Sequence, residues 1–317
     1  MTLVKERRHQ QALRLSLPPP IPPADFRHRP SHCPPVFPAT TNPRCPYIDD
    51  LSDLEKLTVL GHENGGTVYK VRHKRTSSIF ALKVLRFDRN AVTLQKQAVR
   101  EAEILEHVDS PYSVRCHAMF DSDDDLCFAI EHMERGSLHD ILLLRKVMPE
   151  NVISAVAHGV LLGLQYLHRM QIVHGDIKPS NLLINARGDV KIADFGVSRV
   201  VAGKHDSCDR FMGTCAYMSP ERFDPERWGG DHNADGFAGD VWSLGVVVLE
   251  CLMALVCAIR FGETFEMPKN SSSEFRSFMR RCLEKDWRNR GTIDELLNHP
   301  FVVRSCYGSM EGLVDFD

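Results

Sequence analysis

Two short polar motifs constrain this chain more than any other feature of its sequence. The first is His174-Gly175-Asp176-Ile177-Lys178-Pro179-Ser180-Asn181, and the second is Asp194-Phe195-Gly196. Phosphoryl transfer needs a carboxylate near the acceptor hydroxyl, a second group that holds metal, and a carboxylate on the metal that bridges the phosphates. Asp176, Asn181 and Asp194 are residues of those types, in that order. The pair of motifs therefore predicts a phosphoryl-transfer site.

Two further segments strengthen this prediction by their positions. Lys83 lies upstream in Ala81-Leu82-Lys83, and Met218-Ser219-Pro220-Glu221 lies downstream. The tripeptide Asp194-Phe195-Gly196 would by itself be weak evidence for a phosphoryl-transfer site, whereas the four segments in this order are strong evidence for one.

The length and composition fit one large two-lobed domain with a tail. The chain has 317 residues, of which 43% are hydrophobic and 26% are charged, as in an ordinary soluble globular protein. The net charge of −3 gives no reason to expect nucleic acid or an anionic membrane as the main partner. The ten cysteines include no Cys-x-x-Cys pair, so a structural zinc site is not expected.

The same features predict a cytoplasmic or nuclear location. Residues 1–17 carry several basic side chains and no apolar run of signal-peptide length, so the cysteines are expected to be reduced thiols. The apolar run from Leu244 to Ile259 falls short of the roughly 18–20 residues of a membrane span and contains Glu250. We therefore expect this run to form a buried helix and not a transmembrane segment.

The chain divides into a tail, a strand-rich part and a helix-rich part. Most of the 18 prolines lie in residues 1–53, which we expect to be a disordered or polyproline-rich tail. Strands are predicted at 57–61, 67–71, 79–84 and 126–130, and helices at 91–107, 152–170, 274–283 and 292–298. This order predicts an α+β fold of two lobes, with the strands in the first lobe and the helices in the second.

Residues 54–301 resemble a protein kinase domain, and more narrowly a mitogen-activated protein kinase kinase of the plant type. The resemblance is carried by Leu54-Glu55-Lys56-Leu57, Val68-Tyr69-Lys70-Val71-Arg72-His73-Lys74, Asp109-Ser110-Pro111-Tyr112, Val190-Lys191-Ile192-Ala193-Asp194-Phe195-Gly196-Val197-Ser198 and Gly213-Thr214-Cys215-Ala216-Tyr217-Met218-Ser219-Pro220-Glu221-Arg222-Phe223. It implies an N-lobe at 54–133, a C-lobe at 134–301 and a C-terminal tail at 302–317. It also implies ATP and Mg²⁺ as cofactors, a downstream mitogen-activated protein kinase as substrate and an upstream kinase of the cascade as activator.

The resemblance assigns each part of the site to residues of this chain. Lys83 would hold the α- and β-phosphates with Glu101 as its helix partner. Asp176 would orient the substrate hydroxyl and accept its proton, and Lys178 beside it marks a catalytic loop of the Ser/Thr type. The other implied residues are Gly61, Gly66, Val68, Ala81, the gatekeeper Ile130 and the hinge Glu131 to Met133 in the ATP site, Asn181 and Asp194 on the metal, and Glu221, Asp240 and Arg290 in the framework of the C-lobe.

A pattern in the N-terminal tail resembles the docking motif with which these kinases hold their substrate kinase. Within residues 5–17, Arg7 and Arg8 precede Leu13, Leu15 and Leu17. Cations can contact an acidic patch while alternate side chains of an extended segment enter apolar pockets. A solvated basic tail without a partner is the plainer alternative.

Two departures from the family pattern fall near the nucleotide and the catalytic loop. Glu63 stands where the glycine-rich loop has its middle glycine, and a carboxylate there adds bulk and negative charge near ATP unless the side chain points outward. Gly175 stands where the catalytic loop has an arginine that pairs with a phosphate on the activation loop.

Two more departures concern the activation loop and the C-lobe. The two Ser/Thr residues at which this class is switched on correspond here to Lys204 and Arg210, which cannot accept phosphate, so Ser207 is the remaining nearby acceptor. After Met253 the chain lacks a segment that relatives carry near the substrate-docking surface. An activation loop that carries no phosphate does not need the catalytic-loop arginine that binds this phosphate. The two departures together indicate that the kinase activity is regulated differently in this chain.

These observations leave two hypotheses of different classes. The first is an atypical dual-specificity mitogen-activated protein kinase kinase of weak activity that works without the double phosphorylation. The second is a pseudokinase or scaffold that captures a kinase through its tail. The complete set of phosphate and metal residues favours the enzyme, and the four departures favour the scaffold.

The docking hypothesis predicts salt-sensitive binding of the partner kinase. Replacing Arg7, Arg8, Leu15 and Leu17 together by Ala should weaken association, and salt should weaken the basic contribution because the Debye length is about 8 Å at physiological ionic strength. Binding measured by surface plasmon resonance at two salt concentrations checks this, with Arg27 and Arg29 replaced by Ala as a control outside the motif. Unchanged affinity in the fourfold variant would place docking elsewhere.

Overall fold

The structure is a computed structural model that describes residues 48–63, 66–86, 92–122, 125–145, 147–201, 213–228, 235–253 and 270–303. The side chains of residues 63, 92–96, 122 and 235 lie outside this description. All the described residues belong to one compact unit, Cys45–Asp317.

An antiparallel sheet forms the first lobe. Its five described strands are β1 (Leu54–Glu63), β2 (Gly66–His73), β3 (Ile79–Arg86), β4 (Cys116–Ser122) and β5 (Asp125–Glu131), in the spatial order β1-β2-β3-β5-β4. Phe80, Leu82 and Val84 alternate along β3 and share one buried apolar cluster. Because successive side chains of a strand point to opposite faces, Ala81 and Lys83 face the other side of the sheet.

Helix α1 (Val92–His107) packs against that other face. Ala98 and Leu105 are buried in the same cluster as Leu85 of β3. Glu101 lies between them at the three- and four-residue spacing that places side chains on one side of a helix. The helix thereby directs the Glu101 carboxylate towards β3.

Helices form the second lobe. They are α2 (Leu138–Arg145), α3 (Glu150–Arg169), α4 (Pro220–Phe223), α5 (Pro225–Trp228), α6 (Asp235–Met253), α7 (Ser273–Cys282), α8 (Ile293–Leu297) and α9 (Pro300–Val303). Helix α3 buries Ile153, Val160 and Leu167, among others, along one stripe of helical spacing. The side chains of Ser272 and Thr292 accept hydrogen bonds from Phe275 and Glu295 backbone nitrogens, which caps the starts of α7 and α8.

Two short strand pairs position the two polar motifs. Strand β6 (Ile172–Val173) pairs with β9 (Arg199–Val200), and β7 (Leu182–Ile184) pairs with β8 (Val190–Ile192), both antiparallel. Residues 174–181 connect β6 to β7, and residues 193–198 connect β8 to β9. Each connection therefore begins and ends on strands that pair with the strands flanking the other connection, which places the two motifs side by side.

Helix α6 contains residues 244–253, which are the described part of the long apolar run. Within the described residues, it is the one helix that is long and apolar enough to cross a membrane, over Gly236–Met253, and 72% of that window is buried inside the domain. Its residues Leu244, Val247 and Leu249 lie in the same cluster as the buried stripe of α3. The burial agrees with the expected core helix; residues 254–259 of the run lie outside the described residues.

The packed region begins earlier than expected from the sequence. Ile48 is 6% exposed and lies in the N-lobe cluster with Leu54, and residues 51–53 form a short 3-10 helix capped by Asp50. Residues 48–53 therefore pack with the N-lobe although they precede residue 54, where the kinase-like sequence was predicted to begin. The described cysteines at 116, 127, 215, 251 and 282 are free thiols.

A buried ion pair links the start of α4 to the segment before α8. The guanidinium of Arg290 donates to both carboxylate oxygens of Glu221, at 2.7 and 2.9 Å, and both side chains are 0% exposed. Arg290 also donates to the carbonyls of Ala238 and Glu284. These contacts satisfy the guanidinium and tie three parts of the C-lobe together.

We expect Arg290→Met to lower the free energy of unfolding by about 3–5 kcal/mol, because it leaves the Glu221 carboxylate buried without its cation. Urea unfolding checks this. The exposed pair Arg72–Glu55, with each side chain 47% exposed, supplies the control: Arg72→Met should cost at most about 1 kcal/mol. Equal losses in the two variants would contradict the prediction.

Candidate active site

Lys83 lies between two carboxylates from different lobes. Its Nζ atom donates to Glu101 Oε1 at 2.6 Å and to Asp194 Oδ1 at 2.8 Å. Strand β3 positions the lysine, α1 positions Glu101, and the connection between β8 and β9 positions Asp194. The structure therefore brings together three of the residues that the sequence predicts for phosphate and metal binding.

The pKa values of Lys83 and Asp194 depend on each other. Burial alone would lower the pKa of Lys83, but Glu101 and Asp194 more than offset it, so that the pKa is raised. Burial alone would raise the pKa of Asp194, but the nearby ammonium of Lys83 holds it below its usual range. Lys83 and Asp194 therefore stabilise each other's charged forms.

The backbone of Asp194 has a left-handed conformation, with φ of 65°. Such a conformation is uncommon for a residue other than glycine and costs free energy unless the surroundings hold it. Here Lys83 holds the side chain, and the neighbouring Phe195 is fully buried with its ring 5.5 Å from that of His174.

The catalytic loop surrounds the Asp176 carboxylate with donors. Lys178 Nζ lies 2.7 Å from Asp176 Oδ2, and the Asn181 amide nitrogen donates to the same oxygen at 3.2 Å and to the Asp176 carbonyl at 2.9 Å. Thr214 donates its backbone N–H to Asp176 Oδ1 at 2.8 Å, and its hydroxyl accepts from Lys178 at 2.9 Å. These contacts leave Asp176 only 7% exposed.

Asp240 holds the start of the catalytic loop from below. This residue of α6 is 1% exposed, and its two carboxylate oxygens accept from the backbone nitrogens of His174 and Gly175 at 2.9 and 2.8 Å. His168 Nε2 lies 2.9 Å from the same carboxylate. Gly175 has φ of +80°, a conformation that glycine adopts without strain.

The expected adenine site lies between the sheet and a small apolar cluster. Met133 is 6% exposed and packs with Val114 and Ala193, and half-buried Ile130 and Leu183 lie against them. The remaining predicted residues lie on the strands: Gly61 pairs with Val68, Val68 pairs with Lys83, Ala81 pairs with Ile130, and Gly66 pairs with Leu85. The hinge Glu131 to Met133 begins at the last residue of β5.

The residues at the site fit a divalent metal bound through a nucleotide. Magnesium is usually bound through one or two carboxylates together with substrate phosphates and waters. The carboxylate of Asp194 would be one such ligand, and the Asn181 amide nitrogen donates to Asp176, which leaves the Asn181 amide oxygen available as the second. Among the described residues no group of three or more His, Cys, Asp and Glu could hold a metal without such help.

Several predicted features lie outside the described residues. They are the docking motif at 5–17, the positions Lys204, Ser207 and Arg210, the segment after Met253, and the side chain of Glu63.

Two pairs beside the site were missed from the sequence. Lys191 donates to both carboxylate oxygens of Glu131 at 2.7 Å, which links the hinge to strand β8. Tyr217 donates its hydroxyl to Glu250 of α6 at 2.7 Å, and burial raises the pKa of that carboxyl. Both pairs join residues far apart in the chain, and a lysine or tyrosine within a motif does not by itself indicate its partner.

Comparison with known proteins agrees with this geometry. The family described as "Protein kinase domain" matches residues 54–302, which assigns the fold and its site to the protein kinases. Such enzymes use ATP and a divalent metal. Three relatives from Arabidopsis thaliana are mitogen-activated protein kinase kinases 10, 9 and 7, at 50%, 46% and 42% identity over 95–96% of this chain and 99–100% of theirs. The chain belongs to the mitogen-activated protein kinase kinase family.

The charge arrangement around Lys83 predicts a pH-dependent stability in one variant. In Lys83→Met the cation that lowers the pKa of Asp194 is gone, and burial then raises this pKa above its unfolded value. The folded state then binds a proton that the unfolded state releases, so the stability falls as pH rises above the unfolded pKa of aspartate, about 4. We expect the melting temperature of Lys83→Met to fall between pH 5 and pH 8 relative to that of the unmodified chain.

Thermal unfolding at pH 5, 6, 7 and 8 checks this. Lys83→Arg retains the cation and serves as the control; its melting temperature should follow that of the unmodified chain. If Lys83→Met also follows the unmodified chain over the whole range, the two buried carboxylates do not depend on Lys83.

Proposed function

We propose that this protein transfers the γ-phosphoryl group of ATP to Thr and Tyr in the activation loop of a downstream mitogen-activated protein kinase, with Mg²⁺ as its metal. The observation that carries the proposal is the assembled contact of Lys83 with Glu101 and Asp194 across the two lobes. Membership of the kinase kinase family supports the substrate class.

The residues of the site divide the work among them. Asp176 accepts the proton of the substrate hydroxyl, and Lys178 places a cation beside the transferred phosphoryl group. Lys83 orients the phosphates, while Asp194 and Asn181 would hold the metal. The metal, when bound, neutralises charge that develops on the β- and γ-phosphates.

The proposal includes regulation without the usual double phosphorylation of the activation loop. Lys204 and Arg210 have no hydroxyl, and Gly175 has no guanidinium to bind a phosphate. Docking through residues 5–17 and the abundance of the protein would then control the activity. We further propose that it acts in the cytoplasm or nucleus, where its partner kinases and an upstream cascade kinase would meet it.

A specific contact favours the scaffold as a second candidate. The Thr214 backbone nitrogen occupies Asp176 Oδ1 at 2.8 Å, and Asp176 is 7% exposed. A substrate hydroxyl must compete with this donor. Together with the Glu63 and Gly175 substitutions, this contact would suit a domain that binds its partner without phosphorylating it.

The deciding experiment measures transfer by the full chain to a panel of mitogen-activated protein kinases that carry inactivating mutations of their own. We expect phosphate on both Thr and Tyr of at least one activation loop, detected by mass spectrometry. Asp194→Ala should lower the rate at least about a hundredfold, because it removes a metal ligand worth several kcal/mol in the transition state. Treatment of the enzyme with phosphatase should leave its rate unchanged.

Asp49→Ala is the matched control, since the Asp49 side chain is exposed and its carboxylate pairs with the exposed Arg75 at 3.1 Å. This variant should retain the full rate. Equal phosphorylation by Asp194→Ala and the unmodified chain would trace the activity to a contaminant, and binding without transfer would support the scaffold. A large loss after phosphatase treatment that Ser207→Ala reproduces would restore a phosphorylation switch.

A further inference from the structure

The side chain of Arg222 reaches from α4 to the catalytic loop. Arg222 is half-buried, and its stem passes over Gly239 of α6, where a Cβ atom would lie 3.3 Å from Arg222 Cδ. This distance is tighter than an ordinary van der Waals contact, so glycine at 239 leaves the path open. Arg222 Nη1 then donates to the Gly175 carbonyl at 2.8 Å.

The guanidinium of Arg222 lies at the meeting point of two loops. A Cβ atom on Gly175 would lie 3.9 Å from both terminal nitrogens of Arg222. A Cβ atom on Gly213, where the described part of the chain resumes after the activation loop, would lie 3.6 Å from Arg222 Nη2 and 3.6 Å from Asp176 Oδ1. The cation therefore occupies the space beside position 175 and close to the catalytic carboxylate.

This contact completes the anchoring of residue 175. The Gly175 N–H donates to Asp240 and the Gly175 carbonyl accepts from Arg222, so both polar groups of the residue are held by side chains of other elements. The Gly175 carbonyl and the Asp176 N–H belong to one planar peptide unit. The Asp176 N–H also contacts His174 Nδ1 at 3.3 Å. Fixing the carbonyl thus fixes the direction in which the backbone enters Asp176.

We propose that Arg222 is a positioning residue that holds Asp176 ready for phosphoryl transfer without a phosphorylated activation loop. Its guanidinium supplies from α4 an anchoring cation beside position 175, where the family pattern has its own arginine. Gly175 has φ of +80°, a conformation that glycine adopts without strain, and its carbonyl is held by the cation of another element. This inference rests on the proposed kinase activity.

The test compares Arg222→Met, which keeps the stem over Gly239 and removes the donors, with Arg222→Lys, which keeps a cation. We expect Arg222→Met to lower kcat by about 10- to 100-fold, as for the loss of a charged hydrogen bond. The KM for ATP and the Kd for the fluorescent analogue mant-ATP should stay within about twofold, because Arg222 lies away from the hinge. Arg222→Lys should recover part of kcat.

Amide hydrogen exchange supplies a readout that does not need catalysis. In Arg222→Met, exchange should rise by about tenfold or more over residues 174–178, while the rest of the C-lobe keeps its protection. Arg227→Met, an exposed arginine of α5 that stacks on Trp228, is the matched control and should change neither kcat nor exchange.

Three outcomes would overturn the proposal: an unchanged kcat in Arg222→Met, a rise in exchange spread evenly over the C-lobe, or parallel losses of kcat and mant-ATP binding. The last two would indicate a general structural role. If the unmodified chain transfers no phosphate, the proposed kinase activity is wrong. The exchange pattern and mant-ATP binding then still decide whether Arg222 positions the catalytic loop.

Discussion

The buried carboxylate of Asp240 is the interaction on which the C-lobe depends. A charge that is 1% exposed is tolerable only if hydrogen bonds replace the water it has lost. Here the backbone nitrogens of His174 and Gly175 and the ring of His168 supply them. Because α6 carries this carboxylate in an otherwise apolar stretch, the helix places one strong acceptor at one point of the core. The catalytic loop is built around that point.

The two lobes are joined chemically by a second set of buried charges. Lys83 holds the pKa of the buried Asp194 carboxyl low, and Glu101 and Asp194 together raise the pKa of Lys83 against the effect of its burial. The contact therefore exists only when α1, β3 and the Asp194 loop are in place together. The contact thus depends on the relative position of the two lobes. Lys83, Glu101 and Asp194 form one functional unit although they lie far apart in the sequence.

The sequence alone predicts the long helices and strands and the polar motifs, but not the short elements that pack beside them. Strands β1, β2, β3 and β5 and helices α1, α3, α7 and α8 all arise near their predicted positions, and each of them except the five-residue α8 is long enough to show a period. Strand β4, helix α2 and the pairs β6–β9 and β7–β8 were not predicted. They are short, or their apolar residues follow no simple alternation, and tertiary pairing decides their form.

The same limit applies to the site. Motif spacing identifies Lys83, Asp176 and Asp194, because a few residue types at fixed positions are needed for phosphate chemistry. The contacts of the Arg222 guanidinium with the Gly175 carbonyl and of Lys191 with Glu131 join residues more than forty positions apart, and nothing local in the sequence distinguishes these cations from solvated ones.

The backbone of Asp194 has a consequence for small molecules that compete with ATP. Its φ of 65° opposes the local preference of an aspartate, while Lys83 and the burial of Phe195 hold it in place. An inhibitor that displaces Phe195 from its buried position relieves the strained backbone of Asp194. It also breaks the Lys83–Asp194 contact and exposes the Phe195 ring. An inhibitor that leaves the loop undisturbed keeps both interactions. This chain should therefore discriminate between the two pharmacological classes in favour of the second.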